Sequence, residues 1–138
     1  MLASFIGTAS FAVLFGVPRE YYLKCGVVGM LGWLAYLVSV RYLPLGPAGG
    51  TFIAATLVAL LSLAAAHRFK CPSTVFLICG IFPLIPGAGV FWSSYFVVST
   101  QMDAALAAGF SAVKITLAIV LGIVLSANLL TRKLKSTH

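Results

Sequence analysis

With 138 residues, 62% of them hydrophobic and only 8% charged, the chain has a mean hydropathy of +1.12 and more apolar surface than one small globule can hide, so lipid must cover the excess. In hydrocarbon every backbone donor and acceptor needs an internal partner, which leaves helices and closed barrels; residues 51–66 and 115–125 are apolar on all sides and do not alternate, which sets barrels aside. The formal net charge of +7 is scattered singly between apolar stretches, with no basic face or aromatic motif, and this argues against nucleic acid.

The composition predicts an all-α integral membrane protein of about five transmembrane helices, forming a single transmembrane domain over residues 1–138. The first span, residues 2–17, has no positive residue before it and no A-x-A site after it, so it reads as a helix and not as a signal peptide. A connection with Pro18, Arg19 and Lys24 leads to the second span, residues 25–40, and a turn of Pro and Gly over 43–50 leads to the third, residues 51–66. Several of these are shorter than the ~20 residues a spanning helix usually needs. Within the third span Ala55, Ala59, Ser62 and Ala66 form a small-residue seam that reads as helix packing. Cys25, Cys71 and Cys79 form no C-x-x-C pair and are odd in number, so they read as small buried or interfacial residues.

The fourth span, residues 74–100, is interrupted by Pro83-Leu84-Ile85-Pro86-Gly87-Ala88-Gly89. Each proline removes a backbone donor and clashes with the preceding turn, while glycine allows dihedrals that other residues avoid. Nine residues, 74–82, precede the break, a rise of roughly 13 Å, so the interruption is predicted near the middle of a core about 30 Å thick. Irregular backbone at that depth is tolerated where protein or a water-filled cavity satisfies it. The second half-helix starts near Gly87, and its free N–H groups and positive dipole end suit a carboxylate. Pro83, Pro86, Gly87, Ala88 and Gly89 are therefore the expected substrate-binding residues, the prolines holding the break open.

The fifth span, residues 109–130, contains Lys114 about five residues inside its start. A buried ammonium there needs a partner or must snorkel to the interface. Small and polar residues, Ser111, Ala118, Gly122 and Asn128, lie on the same side and predict a face turned to the bundle. Lys114 is thus a second substrate-binding candidate. With an outside N-terminus and five spans, Arg19, Lys24, Arg68, Lys70, Arg132, Lys133 and Lys135 fall on the cytoplasmic side, seven of the nine basic residues.

In order and spacing, several motifs together resemble the threonine/serine exporters, in particular small free-standing subunits that match the C-terminal membrane half of the fused proteins. They are Phe11-Ala12-Val13-Leu14-Phe15-Gly16-Val17-Pro18-Arg19 leading to Gly26 and Gly29, then Thr51-Phe52-Ile53-Ala54-Ala55, then Arg68-Phe69-Lys70-Cys71-Pro72. Pro83-Leu84-Ile85-Pro86-Gly87 with Phe91 completes the set. The resemblance implies export of small hydrophilic metabolites across the bacterial cytoplasmic membrane: threonine and serine, or succinate in a two-subunit version. It also implies a larger membrane subunit as partner, resembling the N-terminal half of the family. A second copy of the chain is a further candidate partner, and the bilayer surrounds both.

The expected function is that of a membrane subunit of a secondary exporter for carboxylate-bearing metabolites, the rival being a non-transporting scaffold that anchors its partner. An enzyme is not expected: Glu20, Asp103, His67 and His138 lie near predicted loops or ends and offer no catalytic pair, metal set or cofactor site.

Overall fold

The computed structural model describes residues 2–135, and Met1 and His138 lie outside the described residues. Six α-helices follow one another among them: α1 (Leu2–Leu14), α2 (Tyr22–Tyr42), α3 (Gly46–Phe69), α4 (Ser73–Ile81), α5 (Gly87–Val98) and α6 (Met102–Lys135). Single 3-10 turns occupy Arg19–Tyr21 and Phe82–Leu84.

The residues at the helix ends explain the boundaries. Gly16 adopts the left-handed conformation, φ +67°, so the amides of Gly16 and Val17 turn back onto the carbonyls of Val13 and Ala12 and close α1. Pro18 cannot resume it. The Gly46-Pro47 pair, predicted as a turn, instead opens α3, with Gly46 at φ +70° and Pro47 in the first helical turn. At its other end Lys70 takes the left-handed conformation, and the Cys71 amide donates to the Ala66 carbonyl at 3.3 Å.

Lipid gives helices no hydrophobic reason to associate, so contact rests on close packing of small residues and on hydrogen bonds. α3 is the hub, flanked by α2, α4 and α6. At its centre the fully buried Val58 aims one methyl at Gly32 of α2 and the other at Gly80 of α4. On the α6 side, a Cβ added to Gly122 would stand 3.1 Å from the Phe52 carbonyl oxygen and from the Thr56 amide nitrogen. Ser126 Oγ donates to the Thr56 carbonyl at 3.1 Å. Of the predicted α3 seam, Ala55, Ala59 and Ser62 are buried in these contacts and Ala66 is half-buried. α1 lies on α2, with Phe5 against Gly26 and Thr8 against Gly29. Cys25 and Cys79 share a second core with Ala12, Val17 and Phe76, which accounts for them as small buried residues.

Three segments are long and apolar enough to cross a membrane: Arg19–Tyr42, Gly46–Phe69 and Met102–Lys133. The α4–α5 region qualifies as a broken span bent by 48°. By length the described helices therefore give three to four crossings, and the predicted count of about five is not confirmed. The shortfall is α1, whose 13 residues rise only about 20 Å against a core of about 30 Å. Residues 15–17, predicted as part of that span, go into the reversal at Gly16.

α2 and α3 are antiparallel, since Lys24 at the start of one reaches the Phe69 ring at the end of the other. α3 and α6 run parallel, with Gly122 beside Ala55 and Ala127 beside Ser62 and Leu63. Arg19, Lys24, Arg68, Lys70, Arg132 and Lys133 consequently share one end of the bundle, and Arg41 lies at the other.

Candidate functional site: the interrupted span

α4 ends where Pro83 cannot donate to the Cys79 carbonyl and Pro86 cannot donate to that of Phe82, which the Ile85 amide takes instead at 3.2 Å. Ile85 is extended at φ −62° and ψ 130°. α5 then begins at Gly87, whose amide donates to the Ile85 carbonyl at 2.7 Å, while the Val90 amide donates to Pro86 at 3.1 Å. Of the first-turn donors, Ala88 and Gly89 are the two left for an outside acceptor. Gly87 and Ala88 are exposed, and Gly89 is half-buried against Ala112 of α6.

On the α4 side of the break, Phe82 and Pro83 join Ser4, Gly7, Thr8 and Phe11 of α1 and Trp33 of α2 around an open cavity of about 300 Å³. The Phe11 and Phe82 rings lie against each other with centroids 3.4 Å apart and planes tilted by 30°. Thr8 Oγ1 donates to the Ser4 carbonyl at 2.7 Å, whereas Ser4 Oγ is buried with no partner among the described residues. Ser4, Thr8 and Trp33 were not legible as site residues; the only signal was two hydroxyl residues four apart on one face of an apolar helix.

The structure brings Pro83, Pro86, Gly87, Ala88 and Gly89 together and sets Lys114 apart from them. Ala112 meets Gly89, and a step of two residues turns about 200° around a helix, so Lys114 is exposed on the far side of α6. Of its predicted face, Ala118 and Gly122 are buried in the bundle, while Ser111 and Asn128 are exposed with Lys114. Lys114 also precedes the Gly122–Ala55 contact by eight residues, about 12 Å along parallel helices, which puts it level with the start of α3.

The family model described as Threonine/Serine exporter, ThrE, matches residues 1–129. The chain belongs to this exporter family. It is 30% identical over 101 residues to a threonine/serine exporter of Corynebacterium glutamicum, an alignment covering 73% of this chain and 20% of that protein. The chain thus spans about a fifth of the length of that curated relative. No solved structure matches it. The apolar membrane-length helices and the interrupted span are in keeping with membership of a membrane exporter family.

Proposed function

We propose that the chain is a membrane subunit of a secondary exporter for small carboxylate-bearing metabolites, threonine and serine or a dicarboxylate such as succinate, and that it works with a larger membrane subunit in the bacterial inner membrane. The observation that carries this is the 48° interruption at Pro83 to Gly87 with an open cavity beside it. Half-helix termini facing each other near the bilayer centre are how several transporter folds build substrate sites. In this reading the Ala88 and Gly89 amides at the start of α5 receive the carboxylate, and Pro83, Pro86 and Gly87 shape the break. The basic end of the bundle faces the cytoplasm, because Lys and Arg are retained there.

The partner is supported by the outward face of α6, where Lys114, Leu121 and Asn128 recur every seven residues and are all exposed. An ammonium and an amide on a lipid-facing surface are costly without a neighbouring helix. α6 stands between Lys114 and Gly89, so Lys114 acts apart from the α5 terminus, in a space that the larger subunit closes.

Efflux of labelled threonine, serine and succinate from loaded cells tests the proposal. Export is expected only when both chains are produced; full export by the larger chain alone would reduce this one to a scaffold. Lys114→Met is expected to lower efflux severalfold at an unchanged membrane level. An unaltered rate would place the ammonium among the lipid headgroups instead.

A further inference from the structure

At the basic end of the bundle the first turns of α2 part from the last turns of α3, leaving a groove of about 430 Å³. Its floor and walls are apolar, made by Val27, Val28 and Leu31 on one helix and Leu61 and Ala64 on the other. Its mouth carries the two cations Lys24 and Arg68. Lys24 does not extend freely into water. Its ammonium lies 3.4 Å from the centre of the Phe69 ring and 4.8 Å from that of Tyr21, a cation–π seat that holds the charge over the groove.

Among the described residues no carboxylate pairs with either cation, and Glu20, one turn before Lys24, is exposed and forms no ion pair with it. The charge at the mouth is uncompensated among the described residues. The polarity of the groove is also directional: cations stand at the end of the bundle, and the apolar slot runs from them toward its middle over nine residues of α2, 23–31, a rise of about 12 Å.

We propose that this groove binds one anionic phospholipid, its phosphate at Lys24 and Arg68 and an acyl chain along Val27, Leu31, Leu61 and Ala64. A free anion would use the mouth and leave the slot empty, and a neutral lipid would use the slot and leave the cations unmatched. An anionic lipid satisfies both, and its head-to-tail direction is that of the groove. Basic pockets between helices on one side of a membrane recognise anionic headgroups by this combination.

The full chain, purified in detergent, is offered equal amounts of phosphatidylglycerol and phosphatidylcholine, and retained lipid is counted by native mass spectrometry. Preferential retention of one phosphatidylglycerol is expected. Arg68→Gln, at an exposed position that leaves the packing alone, should reduce its retention about fivefold, as should Lys24→Gln; Lys24→Arg should preserve it. Ala64→Trp, also at an exposed position, should fill the slot and expel the lipid with both charges intact. Inorganic phosphate at the same concentration should not compete. Equal retention of the two lipids, unchanged retention in Arg68→Gln, or displacement by phosphate would each overturn the assignment.

Discussion

A chain carrying Gly87→Leu, produced together with the larger subunit, is expected to accumulate in the membrane normally and to export its solute at close to background level. The fold tolerates the change. A Cβ at Gly87 meets nothing within 4 Å, and the residue does not use a left-handed conformation that only glycine adopts easily. Its amide is already spent on Ile85, so no backbone bond is lost. What changes is the space at the start of α5, where an isobutyl group would cover the Ala88 and Gly89 amides and keep water and solute from the helix terminus. A carboxylate at such a terminus gains up to about 2 kcal/mol from the amides and dipole, a factor of roughly 30 in occupancy. Efflux and membrane level measured on the same cells check the prediction. Normal efflux at a normal level would remove the α5 terminus from the solute path.

The interruption was legible from the residues because its cause is local: two prolines and two glycines within seven residues deny the backbone its helical bonds wherever they occur. The same reasoning reads the Gly46-Pro47 pair less well. Proline is hostile to a helix interior but suited to its first turn, and the structure uses it to begin α3, which lengthens the third span beyond residues 51–66 at both ends. The first span failed for a related reason, since Gly16 closes α1 while the apolar pattern runs on through Val17.

The facing of Lys114 is a tertiary fact. Periodicity placed it with Ser111, Ala118, Gly122 and Asn128 but did not say which edge of that face would meet α3, and the structure answers with Ala118 and Gly122 alone. The cavity at Ser4 and Thr8 depends equally on which helix α1 lies against. Threonine and serine hydroxyls in an apolar helix commonly bond the carbonyl one turn back, as Thr8 does. Ser4 Oγ, at the wall of the cavity, has no partner among the described residues.

Gly32→Leu is expected to fail in the opposite way from Gly87→Leu, with the protein lost and not merely its transport. Gly32 faces Val58 so closely that even a Cβ would overlap the Val58 Cγ2 methyl, and Val58 has little room to retreat because its Cγ1 methyl packs close to Gly80 of α4. Three helices meet at this one fully buried valine, and spreading them would also draw Leu84 and Ile81 away from Ala54 and Ala55, undoing the support of the break. Overpacking a close-packed core costs typically about 1–3 kcal/mol, and a leucine forced between helix backbones belongs at or above the upper end. The membrane level and the unfolding midpoint of the purified chain should both fall sharply. Gly32→Ala should show a smaller loss, and combining it with Val58→Ala should restore much of it, because the two methyls removed include the one that the new Cβ strikes. If the double variant is no more stable than Gly32→Ala alone, the glycine is required for something other than the closeness of α2 and α3.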